Sequence, residues 1–207
     1  TDTEVYMFWI QIFWMTNWNS NIIGHQSSSA TQVFDMYEKL ANAIPTWLYY
    51  EIGETFKEDS RKLRTSSTQN NIKYLIPRSC KIQTGSARNP ESCRSADAAM
   101  AHITEEAFFP NTTEWTPGKV IKAAVSSINV TKPYTFIVRE STPNGRENEF
   151  HDEWVRANSF DKDGNRLSIY TPYFVAWFDI EKYILPFKSE QEKIDFVYWL
   201  YKNREDE

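Results

Sequence analysis

The chain has 207 residues, with 8 Trp, 11 Tyr and 13 Phe against 6 Gly, and 41% of it is apolar. So many large apolar side chains exclude a disordered or low-complexity chain, because each aromatic brings area that must be buried. A formal charge of −5 offers no general attraction to a polyanion, so neither nucleic acid nor an acidic membrane surface is expected as a partner.

Length suffices for a core that needs no staple, and residues 1–207 read as a single domain. The first apolar run, Val5 to Met15, is broken by Gln11 and falls short of the ~18–20 residues of a membrane span. No basic leader or small-residue cleavage site accompanies it, so it is not a retained signal peptide. Its β-branched and aromatic content fits a buried strand better than an interfacial helix, and it reads as a core element of either type. Ser29-Ala30-Thr31-Gln32 has capping-box form, and Val33, Met36, Leu40 and Ile44 follow at helical spacing up to Pro45. Thr46 to Ile52 reads as an aromatic strand.

Cys80 and Cys93 enclose a segment rich in Ser, Gly and Pro, which predicts a loop closed by a disulfide worth about 3 kcal/mol. Two N-glycosylation sequons begin at Asn111 and Asn129. Together these features predict a secreted, extracellular glycoprotein whose signal has been removed.

Ser95 to Phe108 places Met100, Ile103 and Ala107 at helical spacing, with Pro110 as the stop. Thr116-Pro117 has the form of an N-cap and first helical residue, and Val120, Ala124 and Ile128 follow four apart, with a strand as the rival. Tyr134 to Glu140, Glu147 to Phe160 and Arg166 to Ile180 read as strands, parted by Pro143-Asn144-Gly145 and by Asp161 to Asn165. Ser189-Glu190-Gln191-Glu192 opens a last helix whose stripe is Ile194, Val197, Leu200 and Tyr201. The expected fold is α+β: one curved, mostly antiparallel sheet, able to close towards a barrel, flanked by N- and C-terminal helices.

Chemical motifs are sparse. Glycines never fall at phosphate-loop spacing, and no nucleophile elbow or HExxH occurs. His102 and Glu106 share a face of the predicted third helix, but nothing in the sequence brings His151 to them, so no metal site and no cofactor are expected. Asp161, Asp163 and Asn165 fail the calcium-loop pattern, since Gly164 falls at position four, and read as a hairpin turn.

Aromatic residues do lie near carboxylates. Trp47 and Tyr49 alternate with Glu51 on one predicted strand, and Glu149, His151 and Glu153, with Trp154 adjacent, on another. Carboxylates beside aromatic faces attract organic cations. These six residues, Trp47, Tyr49, Glu149, His151, Glu153 and Trp154, define an aromatic, acidic cavity for a small amphipathic or cationic molecule. The expected function is therefore secreted small-ligand binding. The alternatives are a hydrolase using carboxylates with His151 or His102, and a protein-interaction or self-assembling protein.

Pro45-Thr46-Trp47-Leu48-Tyr49-Tyr50-Glu51-Ile52, after a short helix, resembles the first strand of lipocalins, with Pro45 where their Gly-x-Trp has glycine. The resemblance spans these eight residues and implies an eight-stranded ligand-binding barrel.

Overall fold

The computed structural model describes residues 2–43, 64–65, 71–75, 78–89, 97–114, 116–180 and 185–203. The first apolar run is helical. Helix α1 (Asp2–Trp9) widens into a π-turn (Ile10–Trp14), closed by the Met15 N–H donating to the Ile10 carbonyl over 2.9 Å. The Gln11 amide is buried there and donates to the Trp18 carbonyl at 2.7 Å, which explains a polar residue in an apolar run.

Next come β1 (Asn19–Gly24) and α2 (Ser27–Ala43), then β2 (Arg64–Thr65), β3 (Ile72–Leu75), β4 (Cys80–Ser86) and β5 (Ala98–Thr104). A 3₁₀ turn (Glu106–Phe108), α3 (Pro117–Val125), β6 (Phe136–Arg139) and α4 (Glu149–Ala157) follow. Among the described residues the strands form one sheet in the order β2-β3-β4-β1-β5-β6. β4, β1, β5 and β6 run parallel, with Ile22 opposite Thr84 and His102, while β2 and β3 add an antiparallel edge.

Both faces of this sheet are covered. Neighbouring residues of a strand point to opposite sides, so Ile22 and Ile23 serve different cores. Ile22, Ile82 and Met100 pack with Met7, Ile10, Ile12, Phe34 and Tyr37 of α1, the π-turn and α2. Ile23 and Ile103 pack with Val120, Ile121 and Ala124 of α3. The result is an α+β chain built on an open, mixed sheet. A curved, mostly antiparallel sheet closing towards a barrel is not what forms, since the central pairings are parallel.

Two predicted elements change type. Ser95 to Phe108 holds strand β5, buried at all but one position, so its alanines and helical spacing yield to its place between β1 and β6. Glu147 to Phe160 holds helix α4, opened by Asn148, whose Oδ1 accepts from the His151 N–H at 2.9 Å. Arg166 to Ile180 contains no strand, only a 3₁₀ turn at Trp177–Asp179.

The described chain forms two compact units, Thr1–Arg156 and Ala157–Glu207. In the second, Asp161 Oδ1 accepts from the N–H groups of Asp163 and Asn165, each at 2.8 Å, making the expected turn, and Phe160 bridges to Arg166. Its α5 (Glu190–Asn203) starts where the capping box predicts, with Ser189 Oγ accepting from the Glu192 N–H at 3.1 Å. No residue of α5 is buried. No helix of the described residues is long and apolar enough to cross a membrane.

Candidate functional site

The parallel strands end together at one edge of the sheet. At Gly24, the last residue of β1, an added Cβ would lie 3.0 Å from the Ala30 nitrogen and 3.1 Å from the Gln26 oxygen. A side chain there would collide with backbone, so glycine lets the chain turn tightly from β1 into α2. Gly24 is also held sideways: its carbonyl accepts from the Ala87 N–H, just past β4, at 2.9 Å. The first α2 hydrogen bond runs from the Ala30 N–H to the Gln26 carbonyl. The amides of Ser27, Ser28 and Ser29 precede it and, as at any helix start, have no acceptor within the helix. Ser27 and Ser28 are exposed.

His25 joins this turn to the end of β5. Its Nδ1 lies 3.4 Å from Ser29 Oγ, and its ring sits 6.1 Å from that of Phe108. At the same end Glu105 has φ of 57°, a left-handed conformation costing a non-glycine residue on the order of 1–3 kcal/mol. Surrounding contacts hold it there: Thr142 Oγ1 donates to the Glu105 carboxylate at 3.2 Å, and the Ala107 N–H donates to Ser141 Oγ at 3.1 Å. α2 leaves β1 towards one face of the sheet and α3 follows β5 on the other. The chain thus parts between β1 and β5, the kind of switch point beside which open parallel sheets bind their ligands, outside the carboxyl ends of the strands.

Two charged clusters brace this end. Arg139 donates through Nε to Glu106 Oε2 at 2.7 Å and lies 3.3 Å from Glu153 Oε2. Burial raises the Glu106 pKa in spite of Arg139. On the α1 side, His102 Nδ1 pairs with Glu4, and its Nε2 lies 3.5 Å from Glu140, which also accepts from Thr104 Oγ1. Burial opposes charge on His102, yet Glu140 and Glu4 together raise its pKa. Burial likewise opposes charge on Glu4, but His102, and after it the N-terminal amine, draw its pKa down to about 2.

The residues expected to line an acidic pocket are distributed otherwise. Glu149, His151, Glu153 and Trp154 belong to α4, where residues two apart point to different sides. Glu153 pairs with Arg139, while the Glu149 carboxylate lies against Gly118 in the first turn of α3, and His151 Nδ1 is 3.8 Å from Asp152. Trp47 and Tyr49, with the lipocalin-like segment, fall outside the described residues. Among the described residues, no group of three His, Cys, Asp or Glu is placed to hold a metal. Cys80 is a buried free thiol whose sulfur accepts from the Trp18 N–H at 3.3 Å. The expected disulfide is therefore corrected, and Cys93 lies outside the described residues. With that bridge gone, the exposed Asn111 and Asn129 give no support to a secreted glycoprotein.

No family model matches the chain, and no curated protein does. Among solved structures, it is similar to the ATPase domain of the large terminase of Thermus phage P74-26, with a TM-score of 0.42 and 17% identity. That match covers 76% of this chain and 59% of the other. An arginine-to-alanine mutant of that domain matches with a TM-score of 0.41 and 16% identity, over 71% of this chain and 56% of the other. The chain therefore spans less than two thirds of either. A likeness of this degree carries neither fold nor activity to this chain.

The strand face that was to carry the acidic pocket does not exist, because Glu149, His151 and Glu153 lie on a helix. The expected function as a secreted binder of a small amphipathic or cationic molecule is corrected on that ground, and the exclusion of nucleic acid, which rested on net charge alone, is withdrawn. Sequence reasoning missed Gly24 to Ser29 and the pairing of His102 with Glu4. The first had a signal: an Ile-Ile-Gly strand end running directly into a polar helix start.

Proposed function

We propose that the chain binds a phosphate-bearing small molecule of the nucleotide class at the carboxyl ends of β1 and β5. The observation that supports this reading most is the α2 start: three successive amides open at the carboxyl edge of the central parallel strand. Helix N-termini carry partial positive charge and converging N–H donors, which suit a phosphate. Glycine at position 24 brings the backbone close, and the hydroxyls of Ser27 and Ser28 are exposed beside it. Within residues 24–29 there is no Lys or Arg to neutralise charge developing on a transferring phosphoryl group. The loop is thus equipped for binding in preference to phosphoryl transfer.

Calorimetric titration with ATP, ADP and pyrophosphate in the presence of magnesium tests the reading. Ser28→Glu places a negative charge in the first turn of α2, which favours the helix while repelling an anion. The variant should keep its melting temperature and bind at least about tenfold more weakly, equivalent to about 1.4 kcal/mol. No binding by any of the three, or binding unchanged in Ser28→Glu, would overturn the proposal.

A further inference from the structure

We infer that Phe108, with His25 beside it, is the platform on which the base of the bound nucleotide stacks, a role that rests on the phosphate-binding reading of the α2 start. Phe108 ends the 3₁₀ turn that follows β5, and it faces solvent: it is 42% exposed, whereas its neighbours Ala107 and Phe109 are 4% and 7%. His25 lies between it and the open amides of α2. Only Gln26 parts His25 from Ser27, and the His25 ring is 6.1 Å from that of Phe108 at an interplanar angle of 49°. Rings tilted in this way are not face to face, so His25 leaves a face of Phe108 for another ring.

The position of Phe108 is fixed in advance. Its N–H donates to the Glu105 carbonyl at 3.1 Å, and the Phe109 N–H donates to the Glu106 carbonyl at 2.9 Å. The Ala107 N–H donates to Ser141 Oγ at 3.1 Å, and the Ala107 carbonyl accepts from Asn144 Nδ2 at 2.9 Å. Left-handed Glu105 precedes the turn, and such backbone strain collects at ligand sites. A single exposed phenylalanine calls for no explanation by itself. One presented on a braced turn, against the histidine that leads into a helix start, does.

A nucleotide joins its phosphates to its base through one sugar. This end of the sheet offers amides for the phosphates and an aromatic face for the base. Stacking uses the ring face of a base and not its hydrogen-bonding edge, so every base is accepted and the larger purines are favoured.

Calorimetric titration of the full chain with ADP, UDP and pyrophosphate, each with magnesium, tests this. Phe108→Leu keeps an apolar side chain and removes the ring face, whereas Phe108→Tyr keeps the ring. In the unmodified chain ADP should bind more tightly than UDP. Phe108→Leu should weaken ADP at least about tenfold, the effect of losing one base–aromatic stack, and leave pyrophosphate within about twofold. Phe108→Tyr should bind ADP as the unmodified chain does. ADP binding no tighter than UDP, ADP unaffected by Phe108→Leu, or equal losses of ADP and pyrophosphate would overturn the stack and leave the phosphate reading in place. Failure of all three ligands to bind the unmodified chain would overturn both.

Discussion

Glu106 is 1% exposed, and its charge is tolerable only because Arg139 meets it with two donors. Arg139→Ala would leave that carboxylate buried and unpaired, which costs about 3–5 kcal/mol in comparable pairs. Urea unfolding at pH 7 should show a loss of that size. The deficit should shrink on acidification, because burial raises the Glu106 pKa and loss of Arg139 removes what holds it down, so the folded variant takes up a proton more readily than the folded unmodified protein. A deficit that stayed constant down to pH 4.5 would show that Glu106 is not the group left stranded. Glu153, the second carboxylate on Arg139, is not an equivalent support: it also pairs with the exposed Arg156 at 3.4 Å.

Among the elements, those with local chemical signals were legible. α2 follows its apolar stripe, although it begins two residues before the capping-box serine, because Gly24 lets the chain turn earlier. α3 begins at Pro117 behind Thr116, and β6 lies inside its predicted run. β5 and α4 were misread for opposite reasons. A strand covered on both faces has no polar alternation, so Ala98 to Thr104 showed only the spacing of its large residues. In α4, the acidic alternation of Glu149, His151 and Glu153 masked Phe150, Trp154 and Ala157, which recur at i, i+4 and i+7. The Asn148 cap signals the helix, and its worth is measurable. Asn148→Ala should cost about 1 kcal/mol in thermal or urea unfolding, while Asn148→Asp, which keeps the acceptor, should cost much less. Equal losses would mean that the cap bond is not what fixes the start of α4.

For the whole molecule, parallel pairing decides where a ligand can go. An antiparallel barrel would have gathered its ligand inside, and the aromatic, acidic interior followed from that picture. An open sheet with helices on both faces fills its interior with side chains and leaves its crevice at the strand ends. Net charge was a poor guide for the same reason: −5 averages over the surface and says nothing of three amides opening at one helix start. The candidate site was hidden because it consists chiefly of backbone, placed by the order β4-β1-β5. The most direct test of this account is amide NMR shift mapping during titration of the full chain with ADP and magnesium. The account predicts saturable shifts concentrated at Gly24 to Ala30 and Thr104 to Phe108, with α5 silent. Shifts centred elsewhere, or none at millimolar ligand, would contradict it.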